Sequence, residues 1–178
     1  MVWIEDRPVL SQLITEGSFR CRPHEISILA IYFDEASVDG FTGCGVWIKL
    51  SQYERIHIYW NGGPGSNNKA KLMALWGGLY VAADLQILNP CFYGDSKNVI
   101  GWITSSFHSR NYVLQGWRRR THRLWQILNF PPINHIYKEV NTRADALSKK
   151  GISAKFGLMY IHQYRDGQLI WNSSIPLP

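Results

Sequence analysis

The sequence predicts an α/β domain: a five-stranded mixed sheet, an antiparallel meander plus two parallel strands, flanked by helices. Three observations predict it. Residues 26–34, ISILAIYFD, form a run of β-branched and aromatic residues that reads as a strand and stops at a carboxylate. Residues 69–84 carry apolar side chains on nearly every face, as a helix buried against a sheet does. A short apolar segment, CFYGD at residues 91–95, follows that helix, and strand, long helix, strand is a parallel crossover.

Residues 1–26 read as a lead-in or linker in which VLSQLITEG forms one short helix. The domain proper is expected at 27–151. After the first strand, residues 35–43 read as a loop. GCGVWIKL (43–50) and YERIHIYW (53–60) are strand-like, with a tight hairpin at Ser51-Gln52. The glycine-rich residues 62–66 read as a flexible loop that stops at Asn67-Asn68, whose side chains suit the start of a helix. Gly77-Gly78 within that helix would let it lie close on a sheet. A helix begins after Ser96, and a second long helix is expected over 112–128 from the spacing of Val113, Leu114, Trp117, Leu124 and Ile127. INHIYKE (133–139) reads as the fifth strand, and Asn141 as the cap of a helix through TRADALSKK. Residues 152–178 are an extension, with a hairpin at Asp166-Gly167.

The chain has 178 residues, enough for one domain with an ample core, and eight Trp argue for a folded chain. Its net charge of +6 suits a polyanionic partner. No apolar run reaches the length of a membrane span, and the first residues lack a signal-peptide pattern, so no membrane association and an intracellular setting are expected. Cys21, Cys44 and Cys91 lack paired spacing and read as reduced and packed. The six His show no zinc-binding spacing. The glycine-rich loop is neither a P-loop nor a dinucleotide fingerprint, because no Gly-Lys-Ser/Thr or GxGxxG closes it.

Asp34 and Asp95 each stand at the end of an expected strand. If those strands are parallel, both carboxylates lie on the edge where open α/β sheets place their sites. Asp145 falls in the first turns of the last helix, where it would also suit the helix dipole. Arg118, Arg119, Arg120 and Arg123 line one face of the 112–128 helix. That face is either simply solvated or a handle for phosphates, which arginine grips bidentately.

The order FDEAS, NNKAKLMALWGGL, YGDS, HIYKEVNTRADALSKKG resembles a type 1 ribonuclease H domain, most closely the form attached to the reverse transcriptase of plant LINE-type retrotransposons. Each motif alone is weak; four in this order and spacing, across about residues 28–151, are specific. The resemblance implies cleavage of the RNA strand of an RNA–DNA hybrid. It implies Mg²⁺ (or Mn²⁺) ions held by four carboxylates, and a reverse transcriptase in the same polyprotein as partner. Two metals about 4 Å apart clamp the attacking and leaving oxygens of an in-line displacement. Hard oxygen ligands from separate elements suit Mg²⁺. By motif, Asp34, Asp95 and Asp145 match the first, third and fourth carboxylates, with Asn67 and Asn141 in the nucleic-acid-facing motifs. His135, six residues before Asn141, matches a His that assists in some members or belongs to the strand alone.

Two residues depart from that pattern. Lys71 stands where the second carboxylate, a Glu, should be, and a protonated ammonium has no lone pair with which to ligate. Three aspartates with one ammonium leave a net charge of −2, which one divalent ion balances in place of two. Lys71 is therefore expected to bridge to the aspartates and replace one metal. Glu35 follows Asp34 where the family has Gly, and strand alternation points it away from the Asp34 face. The readings left open are an impaired hybrid endonuclease, a catalytically silent nucleic-acid-binding module, and an interaction domain that uses the fold alone.

Overall fold

The structure is a computed structural model and describes residues 29–105 and 110–177. The suggested helix at residues 9–17, the lead-in to residue 26, the start of the first strand and Cys21 lie outside the described residues. The elements run β1 (Ala30–Val38), β2 (Phe41–Lys49), β3 (Glu54–Pro64), α1 (Asn67–Asp84), β4 (Cys91–Gly94), α2 (Lys97–Thr104), α3 (Tyr112–Ile127), β5 (Ile133–His135), a 3₁₀ turn (Lys138–Val140), α4 (Thr142–Ile152), β6 (Leu158–Arg165) and β7 (Gln168–Pro176). They build one sheet in the order β5-β4-β1-β2-β3-β6-β7. The meander β1–β2–β3 is antiparallel, and β4 and β5 lie parallel to β1, as expected.

The sheet has seven strands, not five. The expected hairpin at Asp166-Gly167 forms, with both residues at positive φ as a two-residue turn requires. Its first strand pairs antiparallel with β3 from Glu54↔Arg165 to Trp60↔Met159. Without it, the eleven-residue β3 would be a long open edge, the kind of template that proteins cover. Arg165 Nε donates to Glu54 Oε1 at 2.8 Å across that seam.

Several expected boundaries move. Residues 35–43 are not a loop: β1 continues to Val38 and turns on Asp39-Gly40, both at positive φ, into β2. Asp34 is therefore mid-strand. The glycines at 62 and 63 belong to β3, not to a loop, since Thr42 pairs with Gly63 and Phe41 with Pro64. The cap of α1 is Ser66, whose hydroxyl accepts from Lys69 N at 3.3 Å, and Asn67 is the first helical residue. The fifth strand keeps only Ile133–His135 before the chain enters the 3₁₀ turn. Asn141 holds the cap position of α4, but its side chain does not cap: Nδ2 donates to Phe33 O at 3.0 Å, tying the helix start to β1.

The two faces of the sheet are unequal. Ile31 and Phe33 turn toward α1, within a core that includes Trp60, Leu72, Leu75, Leu79 and Phe92. Trp47, Tyr59 and Leu147, with Tyr32 and Tyr160 against them, form a smaller cluster under α4. Helix α4 lies so close on β2 that side chains are excluded there. A Cβ on Gly45 would sit 2.4 Å from Ser148 N and 2.5 Å from Ala144 O, both backbone atoms. The glycine pair of α1 does what was expected of it: a Cβ on Gly77 would meet Trp60 Cη2 at 2.1 Å, whereas one on Gly78 would meet Ile31 Cγ2 at 3.3 Å.

These distances separate the glycines energetically. Gly45→Ala forces helix and strand backbones apart and should cost at least about 1–3 kcal/mol of unfolding free energy. Gly78→Ala meets only side-chain atoms and gains helix propensity of about 1 kcal/mol, so its stability should stay within about 1 kcal/mol of the parent. Urea denaturation of the two variants beside the parent measures both; equal midpoints for Gly45→Ala and the parent would contradict the packing.

Candidate active site: an acidic edge with a lysine in it

The site begins with the register of two parallel strands. Ala30, Ile31 and Tyr32 of β1 pair with Cys91, Phe92 and Tyr93 of β4. Continued by the same offset, that register sets Asp34 beside Asp95, just past the end of β4. The sequence expectation that both carboxylates share an edge is met by this route, although β1 itself runs on past Asp34. Alternation puts Asp34 on the face of Tyr32, toward α4, and α4 carries Asp145.

Asp34 is 5% exposed. Its Oδ1 accepts from Glu35 N at 2.8 Å. Burial pushes its carboxyl up to about 7, with further upward pushes from Asp95, Asp145 and Glu35 that the one amide bond does not cancel. Asp95 and Asp145 therefore lie close enough to act on Asp34 through space. Asp145 Oδ2 accepts from Lys149 Nζ at 2.5 Å, one turn further along α4, and this pairing raises the Lys149 pKa.

Lys71 does not bridge to the aspartates. Its Nζ lies 3.7 Å from Glu35 Oε1. The alternation argument was right about Glu35, which points away from Asp34, but that face is the one on which α1 packs, and there it meets Lys71. Burial raises the Glu35 pKa, and Lys71 opposes the rise. Glu35 Oε2 is buried without a hydrogen-bond partner. The role of Glu35 was missed because the strand was taken to end one residue earlier. Asp39-Gly40 is the hairpin signal that would have extended it.

The donor set can be tested against the metals that the resemblance implies. Among the described residues, no three His, Cys, Asp or Glu converge closely enough to hold a metal ion. Two of the acidic side chains face ammonium groups instead, Glu35 facing Lys71 and Asp145 facing Lys149. The residues present do not fit a pair of metals. One Mg²⁺ held by one or two carboxylates, with water and a substrate phosphate completing its shell, is the most that such a set supports.

The remaining candidates are scattered. His135 sits on β5 opposite Gly94, the residue before Asp95, with its ring edge-on to Tyr137 at 5.7 Å. Asn67 is exposed at the start of α1. The arginine face of α3 is only partly available. Arg118 Nε donates to Trp102 O at 2.7 Å and its Nη2 to Ser105 O at 3.1 Å, so it closes the end of α2. Arg120 lies over the Trp117 ring at 5.1 Å. Arg119 and Arg123 are exposed on the side of α3 away from the core.

An antiparallel meander, a crossover helix to two parallel strands and an acidic cluster where those strands end define a ribonuclease H-like domain. The chain belongs to the reverse transcriptase-like family, whose profile matches residues 39–151. Among solved structures, it is similar to RNase H1 from the halophilic archaeon Halobacterium salinarum, with 26% identity and a TM-score of 0.62 over 70% of this chain and 97% of that one. The N-terminal RNase H domain of a Mycobacterium tuberculosis protein matches at 20% identity and TM-score 0.62, over 71% of this chain and 94% of that domain's chain. The protease-reverse transcriptase of a foamy virus matches at 11% identity and TM-score 0.56, over 76% of this chain and 22% of that one. A comparison with curated proteins returned no match. Among the described residues, no helix is long and apolar enough to cross a membrane.

The raised Asp34 pKa has a thermodynamic sign. The native state holds its proton up to about pH 7, whereas the unfolded chain releases it near 3.8. The stabilisation is full below pH 3.8 and is lost as pH rises through about 7. Asp34→Asn should therefore flatten the pH dependence of stability over that window and stabilise the chain at pH 8, by up to roughly 4 kcal/mol. Denaturant titrations at pH 5 and pH 8 check this, and an unchanged slope between them would refute it.

Proposed function

We propose that this chain is a ribonuclease H domain of a retroelement that binds RNA–DNA hybrid and cleaves its RNA strand weakly or not at all. The observation that carries this reading is the Lys71–Glu35 ion pair at 3.7 Å, beside an otherwise acidic edge. Lys71 takes the place of a ligand and adds a positive charge where a second metal ion would add its own. Removing a ligand and a metal together takes away the charge that stabilises the attacking and leaving oxygens. Family membership and the fold support the ribonuclease H assignment. Two solved proteins of this fold, LC11-RNase H1 and the foamy viral protease-reverse transcriptase, are described in complex with RNA/DNA hybrid, which supports hybrid as the ligand.

The finer parts of the reading follow from the sequence resemblance: a plant LINE-type origin, a reverse transcriptase in the same polyprotein, an intracellular setting, and a single Mg²⁺ or Mn²⁺ held by one or two of Asp34, Asp95 and Asp145 in combination with substrate. Arg119 and Arg123 are the phosphate contacts left once Arg118 is engaged by α2. The silent binding module is the limit of this reading at zero rate.

A cleavage assay on a labelled hybrid with Mg²⁺ or Mn²⁺ tests it. The parent should bind and cleave poorly. Lys71→Glu should gain cleavage, and Glu35→Gly with Lys71→Glu should gain more, since the double variant removes the repulsion between two adjacent glutamates. No gain in either variant would refute the assignment of Asp34, Asp95 and Asp145 as a dormant active site. Replacing Arg119 and Arg123 by Ala should weaken hybrid binding at low salt and lower the slope of log K against log salt by about one for each lost phosphate contact. An unchanged slope would remove α3 from the interface.

A further inference from the structure

The face of the sheet under α4 carries a feature that the acidic edge does not use. One register row crosses the sheet through Tyr93, Tyr32, Trp47, His57 and His162. The Tyr32 and Tyr93 rings stack, with centroids 5.1 Å apart and planes 22° apart, and Tyr32 meets Trp47 at 5.2 Å. A cleft of about 170 Å³ opens over this row, between the Tyr32 and Trp47 rings and residues 140–144 at the start of α4. The Arg143 guanidinium lies 4.4 Å from the centre of the Trp47 ring, and Arg55 lies 5.5 Å from it. Lys150 sits 4.5 Å over the neighbouring Tyr59 ring.

The row remains an uncharged aromatic shelf at neutral pH: burial lowers His57 to about 4 and lowers His162 as well. Arg143 and Arg55 stand over it, and Lys150 stands beside it over Tyr59. Aromatic faces edged by cations match a base attached to a phosphate, because every base has a π-face that stacks on an aromatic ring or a guanidinium plane. The cleft is well below the roughly 300–1,000 Å³ of sites for larger cofactors, so it suits a single base. A paired base in a duplex is already stacked on both sides and cannot enter.

We propose that this cleft receives one unpaired nucleobase of a single-stranded RNA or DNA segment, stacked on the exposed outer face of the Arg143 guanidinium, whose inner face covers Trp47, and edged by the Tyr32 ring, with Arg55 and Lys150 near its phosphates. Charge complementarity selects this occupant over a neutral peptide, which would bring no anion to the positive rim of Arg143, Arg55 and Lys150. The slot needs neither cleavage nor a metal. A strand engaged at the acidic edge would reach it only where the strand is unpaired, because Tyr32 and Asp34 lie two residues apart on one face of β1.

The test uses the full chain and three probes: a short single-stranded DNA, the RNA of the same sequence, each carrying 5-bromouracil, and a blunt RNA–DNA hybrid. Photocrosslinking followed by peptide mapping should mark Tyr32. Thr142→Trp fills the exposed mouth of the cleft, and Arg143→Lys keeps the charge but loses the plane. Each should weaken single-strand binding at least about tenfold, within the range that one stacked base supplies, while blunt-hybrid binding changes less than about twofold. Crosslinks confined to peptides away from the cleft, unaltered single-strand binding in Thr142→Trp, or full binding in Arg143→Lys would overturn the slot. Binding of the hybrid but neither single strand overturns the slot alone. Binding of a single strand but not the hybrid overturns only the hybrid reading, and the RNA and DNA arms identify which strand the slot takes.

Discussion

The parallel register between β1 and β4 is the constraint on which the rest of the structure depends. It brings Asp95, just past the end of β4, beside Asp34 of β1. It also commits alternate residues of β1 to opposite layers. Tyr32 and Asp34 face α4, while Ile31, Phe33 and Glu35 face α1. A slip of one residue would exchange these sets, burying Tyr32 under α1 and turning Ile31 and Phe33 out of the core. The core therefore holds the polar edge in place. Ile31, Phe33 and Phe92 are each at most 2% exposed, and their packing fixes where the charges fall.

That division explains how one strand serves two electrostatic environments. On one side, burial raises the proton affinity of Asp34, and the charges of Asp95 and Asp145 add to it. On the other, a single carboxylate faces a single ammonium. The half-buried Lys71–Glu35 pair is of the kind whose net contribution to stability is small, because desolvation offsets attraction. Its effect on the edge is larger than its effect on stability. An ammonium fixed by a neighbouring strand residue remains where it is whether or not nucleic acid or an ion arrives.

Most of the fold was legible because its elements are strongly patterned. The apolar girdle of α1, the short β4 and the spacing of α3 translated directly into structure. The errors share a cause. Taking Asp34 as a strand terminus turned residues 35–43 into a loop, hid the Asp39-Gly40 turn and left the pairing of Glu35 with Lys71 unforeseen. The same dipeptide at Asp166-Gly167 was read correctly, because no competing interpretation stood beside it. What its turn did not reveal is where that hairpin docks, because which sheet edge it covers is a long-range choice. Asn141 illustrates the limit at the site. Its position as a cap was legible, whereas its bond to Phe33 O, 108 residues earlier, was not.

The close approach of α4 to β2 separates architecture from chemistry. Gly43 and Gly45 have no room for a Cβ because helix backbone lies against them. Neither carries a side chain that could take part in chemistry, although Gly45 pairs with Asp34 across the sheet. A lineage that abandoned cleavage would still have to keep both, or lose the helix that carries Asp145. Positions 35 and 71 have no such steric obligation and answer to charge, Glu35 to Lys71 first and then to Asp95 and Lys138. In a set of related chains, the two glycines would trace descent of the scaffold, and the charges at 35 and 71, changing together, would record when the chemistry was altered.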